Sequence, residues 1–300
     1  MCRKLALAAT AVIGAALSLA GVRGAQAAPA SAPQTMTMTS TSASTPPAAT
    51  ATSAPTPPAK PAPRQKATAE ERAAAERLEP LARAAFWNRE VDVDPADQVA
   101  GVRLASALRA LGQYAEAATS AQRVLVIAPD NIDALMESAR AYVAQGQGFY
   151  AIAPAEHVRK LAPKDWRPLS LLGVAYAQVR RTDDALAVWR EALTMSPDNP
   201  AVLSNMAMEL AAQGDAAQAE TLLRRAVAQP TASLQVRQDL TFVLGVQGKL
   251  TEAERRLRVD LPPDQADADL AYLKAVSRGE TPGPSAAAAR SWTSVKGSGG

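Results

Sequence analysis

Four prolines recur at a constant interval through the middle of this chain. These are Pro95, Pro129, Pro163 and Pro197, and the number of residues between successive prolines is the same each time. A constant interval of roughly 20 to 50 residues indicates a chain built from copies of one supersecondary unit, each burying its apolar face against the next copy. Because proline and the residue before it are both unfavourable inside a helix, each copy should end near its proline. The interval therefore predicts a linear array of stacked repeats.

The residues between the prolines follow the same period. In the clearest unit, residues 166–199, a set of chemically unrelated residue types occurs in one register: Leu172-Gly173, Tyr176, Ala185, Trp189, Ala192 and Pro197. This order, at a period of about 34 residues, is the pattern of tetratricopeptide repeats, in which each unit is a helix–turn–helix. The pattern predicts an all-α fold, a right-handed superhelical solenoid of tetratricopeptide-type helix pairs.

The period also sets the predicted boundaries of the solenoid, which should cover residues 67–280. A degenerate leading helix pair is expected at 67–95 and a capping helix at 266–278, because the ends of a repeat array need a polar outer face. Five repeats are expected between them, at 98–131, 132–165, 166–199, 200–233 and 234–263.

Glycine, asparagine and proline mark the predicted turns. Four glycines in register should end first helices in the left-handed conformation that suits glycine: Gly112, Gly146, Gly214 and Gly248. The stretches Pro129-Asp130-Asn131 and Pro197-Asp198-Asn199 should supply an Asp or Asn side chain that caps the helix that follows. Pro154 falls where a second helix should run, so we expect that helix to start late, with the proline in its first turn.

The N-terminal segment, residues 1–27, has the layout of a secretory signal peptide. Arg3 and Lys4 precede an uncharged, mostly apolar run over residues 5–22, and a small-residue cleavage site follows at residues 25–27. An uncleaved membrane anchor is the alternative, because the apolar run approaches the length of a bilayer span, about 20 residues. Either form exports the rest of the chain, which predicts a periplasmic location.

The segments that flank the solenoid are predicted to be unfolded. Residues 28–66 are rich in Pro, Thr, Ser and Ala and should form a disordered linker, and residues 281–300 should form a flexible tail. No lipidation is predicted. Val22 stands where a lipid-modified cysteine would have to follow the apolar run, and Cys2 precedes that run.

The composition leaves little from which to build a catalytic site. His157 is the only histidine and Cys2 the only cysteine, so neither a histidine-containing triad nor a His/Cys metal site can be assembled. The net charge is +3, and arginine is interspersed with glutamate rather than grouped as in nucleic-acid binders. We predict a non-enzymatic protein with no metal, cofactor, small-molecule substrate or nucleic-acid partner. Membrane contact is expected only through an uncleaved N-terminal segment.

In this architecture the first helix of each pair lines a concave face, where a protein or peptide ligand should bind. Candidate groove residues follow from their places in the units: Arg109, Met136, Arg140, Arg167, Val174, Asn205, Met208 and Phe242. The three arginines should meet an acidic segment in the first half of the groove. Val174, Met208 and Phe242 should form an apolar floor in the second half, although Val174 and Phe242 fit packing between repeats equally well.

Several stretches extend beyond the general repeat pattern. They include Asp165-Trp166-Arg167, Leu171-Leu172-Gly173-Val174, Leu222-Leu223-Arg224-Arg225-Ala226, Asp260-Leu261-Pro262-Pro263 and Ser291-Trp292. In these the chain resembles the TadD family of tight-adherence (Flp) pilus assembly proteins. The resemblance implies a periplasmic, often outer-membrane-attached protein that helps to assemble the pilus secretin, so the secretin and other pilus-assembly components are the expected partners. A general scaffold for cell-envelope enzyme complexes is the alternative.

Overall fold

The structure is a computed structural model that describes residues 65–280. Within this part the chain forms thirteen helices and no strand. In chain order they are α1 (Ala69–Ala75), α2 (Pro80–Val93), α3 (Gln98–Ala110), α4 (Tyr114–Ile127), α5 (Ile132–Ala144), α6 (Gly148–Leu161), α7 (Trp166–Gln178), α8 (Thr182–Met195), α9 (Pro200–Ala212), α10 (Ala216–Val227), α11 (Leu234–Val246), α12 (Leu250–Asp260) and α13 (Pro263–Ser277). The predicted all-α solenoid of helix pairs is confirmed. The expectations for the signal peptide, the lipidation position, most of the linker and the tail lie outside the described residues.

The helices form two layers. Besides packing on its neighbours in the chain, each first helix contacts the first helix of the next pair, so that α3, α5, α7, α9, α11 and α13 form a continuous row. The second helices α4, α6, α8, α10 and α12 pack mainly on the helices before and after them. The first helices therefore make an inner layer and the second helices an outer layer.

The core lies between these layers and consists of small and branched apolar side chains. Leu172, Leu203 and Leu244 on the inner helices are fully buried, as is Leu223 on an outer helix. Burying one leucine contributes about 1.5–3 kcal/mol relative to leaving it exposed. Alanine at the closest helix contacts, such as Ala185, lets the two layers approach.

The first helices end in left-handed residues, as the glycine pattern predicts. Gly112, Gly146, Gly214 and Gly248 have φ values of 76°, 74°, 93° and 76°. A fifth left-handed residue, Arg180 with φ 64°, occupies the same place in the remaining repeat. The glycine pattern does not predict this residue, because arginine gives no sign of the left-handed conformation. A side chain with a Cβ is strained there.

Replacing Arg180 with glycine should therefore stabilise the protein. We expect a gain of about 1 kcal/mol from relief of the left-handed strain. Gly146→Ala is the matched control, because its new Cβ would have no atom within 4 Å and so would add only the strain. Thermal unfolding should show Arg180→Gly melting above the parent protein and Gly146→Ala below it. A lower melting temperature for Arg180→Gly would contradict the strain argument.

Asparagine and aspartate side chains begin the inner helices. The Asn131 Oδ1 accepts a hydrogen bond from the Ala134 N–H at 2.9 Å, and the Asn199 Oδ1 accepts one from the Val202 N–H at 3.2 Å. Each bond satisfies an amide that the first turn of a helix leaves without a backbone partner. The predicted capping by Asp or Asn after these prolines is confirmed, and asparagine is the capping residue in both places.

The prediction for Pro154 was wrong. The helix does not start late, because α6 runs from Gly148 to Leu161 with the proline in its interior. Pro154 has no N–H, so the carbonyl of Tyr150, four residues earlier, lacks its helical donor. Apolar packing keeps the helix continuous, because Ala151, Ala155 and Val158 on one face of α6 are fully buried.

A buried ionic network holds the N-terminal helix α1 to the rest of the array. Glu90 on α2 is fully buried, and its Oε2 accepts hydrogen bonds from the Nε and Nη2 of Arg72 on α1, at 3.1 and 2.7 Å. The Arg72 Nη2 also donates to Asp97 at 2.7 Å. The backbone N–H of Ala67 donates to Glu90 as well. The short helix α1 is thus anchored by polar contacts, with Ala75 as its only buried residue.

Candidate polypeptide-binding surface

All eight predicted groove residues lie on helices of the inner layer. Their positions in chain order are Arg109 on α3, Met136 and Arg140 on α5, Arg167 and Val174 on α7, Asn205 and Met208 on α9, and Phe242 on α11. The pairing of first and second helices places them on one side of the array. Their individual surroundings differ, and these decide what each can offer a ligand.

The arginines of the first half already have carboxylate partners in the chain. The Arg109 Nε and the Arg140 Nη1 donate to the two oxygens of Glu137, at 2.9 and 2.7 Å, and Glu137 is almost fully buried. Arg167, on the more exposed end of α7, pairs with Asp165 at 2.7 Å, and this hydrogen bond raises the pKa of Arg167. Two arginines share one carboxylate at Glu137, and the charge of Asp133 on α5 also helps to raise the pKa of Arg167.

Met136 does not face the groove. Its side chain is buried and packs in the apolar core that joins the helix pairs. Methionine is long, flexible and apolar, so its side chain fills irregular space between packed helices. Met136 is therefore a core residue, which corrects its assignment to the ligand surface.

The apolar residues of the second half form a strip. Val174, Met208 and Phe242 recur at the same interval as the prolines, so they occupy the same place on α7, α9 and α11. Each is half-buried and packs against the core, and each leaves part of its side chain exposed. Val174 and Phe242 therefore do both: their side chains pack between repeats and also contribute to the surface.

Asn205 adds a polar group beside this strip. Its side chain is half-buried, and among the described residues its amide makes no hydrogen bond. A side-chain amide has one acceptor and two donor positions, which suit the C=O and N–H groups of an extended polypeptide. Asn205 and Met208, three residues apart on α9, together offer hydrogen bonding and apolar contact.

A buried polar cluster that the repeat pattern does not predict lies between α9 and α11. Asp239 is buried, and its Oδ2 accepts a hydrogen bond from the Ser204 hydroxyl at 2.5 Å. The Gln235 side-chain amide donates to the Asp239 Oδ1 at 2.8 Å. Burial raises the pKa of Asp239 despite these hydrogen bonds. Within residues 65–280 no lysine or arginine pairs with it.

Neutralising this carboxylate should stabilise the array at neutral pH. A group with a raised pKa in the folded protein contributes stability below its unfolded pKa and loses it as the pH rises through the folded pKa. Asparagine has nearly the same shape as aspartate and does not ionise. The Asp239→Asn variant should therefore have a higher melting temperature than the parent protein at about pH 7 and a similar one at about pH 4. Melting curves at both pH values test this. A lower melting temperature for the variant at neutral pH would show that the charged form is the favoured one.

Comparisons with known proteins agree with this architecture. Family models described as tetratricopeptide repeat match residues 102–133 and 176–232. Among curated proteins, none matches the chain. A tetratricopeptide repeat protein from Parabacteroides merdae ATCC 43184 is similar in structure, with a TM-score of 0.56 and 15% identity over 70% of this chain and 85% of that one.

Two further structures are similar over a shorter part of the chain. The thermophilic repeat protein TTC0263 of Thermus thermophilus has a TM-score of 0.53 and 22% identity, over 59% of this chain and 98% of its own. MamA from Desulfovibrio magneticus RS-1 has a TM-score of 0.48 and 20% identity, over 53% of this chain and 89% of its own. At these identities the likeness of the Parabacteroides merdae and Thermus thermophilus proteins shows the fold.

The class of the protein follows from the fold and the comparisons together. The chain carries tetratricopeptide repeats stacked as an all-α solenoid, the architecture of protein–protein interaction scaffolds, which are generally non-catalytic. Between residues 65 and 280, no group of three or more potential metal ligands occurs. None of the helices in that part is long and apolar enough to cross a bilayer.

Proposed function

We propose that this chain is an exported, periplasmic scaffold that binds an extended polypeptide along its inner layer during assembly of a tight-adherence pilus. The partner we propose is the pilus secretin or another component of the assembly apparatus. Outer-membrane association would then come through these partners. The resemblance to the TadD family and the signal-like segment at residues 1–27 support the pilus role and the export.

The observation that carries the binding proposal is the row of inner helices. Because first helices contact one another across the repeats, residues one period apart line up along the array. Val174, Met208 and Phe242 supply apolar contacts at that spacing, and Asn205 supplies an amide beside them. An extended chain laid along this row can meet the apolar residues with its side chains and Asn205 with its backbone.

The arginines in the first half of the row indicate the chemistry of the ligand. Arg109 and Arg140 together carry one more charge than Glu137 neutralises, and Arg167 is largely exposed beside Asp165. Each guanidinium has five N–H donors, so donors remain after these pairings. An acidic segment of the partner should therefore lie over α5 and α7.

Reversing two of these charges should weaken ligand capture, and melting curves of the variants separate lost binding from the destabilisation expected where Glu137 keeps only Arg109. We expect Arg140→Glu combined with Arg167→Glu to reduce recovery of the secretin or pilus components from a periplasmic extract at least tenfold, about 1.4 kcal/mol. Arg190→Glu combined with Arg255→Glu is the matched control, because both arginines are exposed on outer helices and the charge change is equal.

The outcomes of this capture experiment separate the possibilities. Loss of the pilus components from the inner variant alone supports the proposal. Equal recovery by both variants removes the arginines from the binding surface. Recovery of cell-envelope enzymes in place of pilus components would favour the general scaffold, and recovery of neither class would count against both.

A further inference from the structure

A single position of the repeat supplies one residue to each of five inner helices. In chain order these residues are Ser106 on α3, Arg140 on α5, Val174 on α7, Met208 on α9 and Phe242 on α11. All five residues are half-buried, so each leaves part of its surface open to a ligand. Because they recur at the interval of the prolines, they form one line across the array, which we call the central row.

The chemistry of the central row changes in order along the array. Ser106 is small and polar, Arg140 is a cation, and the three members that follow are apolar and pack against the buried core. The Arg140 Nη1 donates to Glu137 at 2.7 Å, and a guanidinium has five N–H donors, so donors remain for a ligand. A ligand that lies along the row therefore meets one cation and then three apolar side chains.

The packing of the inner helices sets the distance between members of the central row. Successive inner helices contact one another directly. The axes of helices packed in this way lie about 8–10 Å apart. A ligand that contacts every member must therefore present suitable groups on one face at a repeat distance of about 8–10 Å.

The regular conformations of a polypeptide differ in whether they meet this distance. In polyproline II every third residue returns to the same face after about 9.3 Å, since each residue rises about 3.1 Å. In a β-strand, residues on one face are two apart, at about 6.6 Å, or four apart, at about 13 Å. An α-helix returns to nearly the same face after seven residues, at about 10.5 Å. The distance therefore favours polyproline II or an α-helix over a strand.

Asn205 distinguishes these two conformations. It lies on α9 three residues before Met208, it is half-buried, and its amide makes no hydrogen bond within residues 65–280. Polyproline II has no internal hydrogen bonds, so its backbone N–H and C=O groups are free to pair with such an amide. In an α-helix the same groups are bonded to one another. The Asn205 amide therefore favours a polyproline II ligand.

We propose that the ligand of the inner layer is a polyproline II segment that carries one acidic residue and then three apolar residues, one at every third position. Its carboxylate pairs with Arg140, its apolar side chains pack on Val174, Met208 and Phe242, and its backbone bonds to Asn205. This rests on the proposed function, because it takes the inner layer as the binding surface. It adds the conformation of the partner and a sequence pattern by which the partner can be recognised.

Short synthetic peptides test the spacing. A dye-labelled peptide, Glu-Pro-Gln-Leu-Pro-Gln-Leu-Pro-Gln-Leu, and its reversed sequence present the pattern in both chain directions. A control peptide of the same composition has its leucines two residues apart, and an alanine-rich helical peptide has a glutamate and leucines seven residues apart. We expect one of the two pattern peptides to bind the full chain about tenfold more tightly than either control in fluorescence anisotropy, because only it combines three leucines on the row with a free backbone.

Two substitutions in the central row test which residues recognise the pattern. Met208→Gln keeps the length of the side chain and should remove most of the preference, whereas Val259→Gln, at an exposed place on the outer helix α12, should keep it. Replacing the glutamate of the peptide with glutamine should weaken binding to the parent chain but not to Arg140→Gln, because only a cation at position 140 distinguishes the two peptides. Melting curves check that each variant is folded.

The outcomes separate this proposal from the proposed function. Tighter binding of the helical peptide, or equal binding of all peptides, overturns the polyproline II pattern, even where pilus components are still recovered from the periplasmic extract. A preference that survives Met208→Gln places the peptide elsewhere and also overturns it. A preference that Met208→Gln removes supports it, and does so equally where pilus components are not recovered, in which case only the pilus role fails.

Discussion

Alanine at position 173 should lower the free energy of unfolding by about 3 kcal/mol, although the substitution adds only one methyl group. Gly173 lies on α7 directly against Trp189 of α8. A Cβ at position 173 would lie 2.2, 2.3 and 2.6 Å from the Nε1, Cε2 and Cδ1 atoms of that indole. The indole cannot move aside cheaply, because it is 2% exposed and its N–H donates to the Ser170 carbonyl at 3.0 Å. Tryptophan at position 173 should unfold the array altogether.

A double-mutant cycle isolates this contact. Gly173→Ala is measured alone and in the Trp189→Leu background, where the indole is absent, by chemical or thermal unfolding. We expect Gly173→Ala to cost at least about 1 kcal/mol less in that background, because contacting residues are not additive. If Gly173→Ala leaves the melting temperature near that of the parent, the close approach of α7 and α8 is not required for folding.

The second large effect is expected at the N-terminal end of the array. Glu90→Ala should lower the free energy of unfolding by about 3 kcal/mol, because it removes a buried carboxylate that accepts several hydrogen bonds and leaves Arg72 with Asp97 alone. Glu90 is fully buried and accepts hydrogen bonds from Arg72 and from the backbone of Ala67. The loss of these bonds should release α1, because Ala75 is the only buried residue of that helix.

Hydrogen exchange distinguishes this local release from general destabilisation. Amides of α1 should exchange faster in Glu90→Ala than amides of α7, and the melting temperature should fall. Glu70→Ala is the control, because Glu70 is exposed on α1 and its loss should change neither quantity measurably. Matching behaviour of the two variants would mean that the network around Glu90 does not hold α1.

Most of the fold could be predicted from the repeat period, because the same physical requirements act on every repeat. Close helix contacts need small residues, turns need glycine, and helix starts need a capping oxygen, so Gly173, Gly146 and Asn131 all signal structure through residue type. The prediction for Pro154 was wrong because the local cost of a proline in the helix is outweighed by burial along the whole face of that helix. Arg180 gave no signal, since its conformation is imposed by its neighbours.

The candidate surface was less predictable from the sequence. Places in the repeat predicted that Arg140 and Met208 lie on inner helices, but not which carboxylate each arginine would meet. Glu137 and Asp239 are buried acids whose partners come from neighbouring helices, and such contacts depend on the curvature between repeats. Met136 shows the same limit, because the position of a residue in the repeat predicts the face of the helix on which it lies but not how deeply it is buried.

Site-specific photo-crosslinking in cells tests the central claim most directly, namely that a polypeptide binds along the inner row. A benzophenone amino acid is placed at Met208 on inner helix α9 or, as control, at Val259 on outer helix α12, which is 81% exposed. We predict an adduct with a pilus-assembly component from position 208 and none from position 259. Adducts from position 259 with none from position 208 would contradict the account.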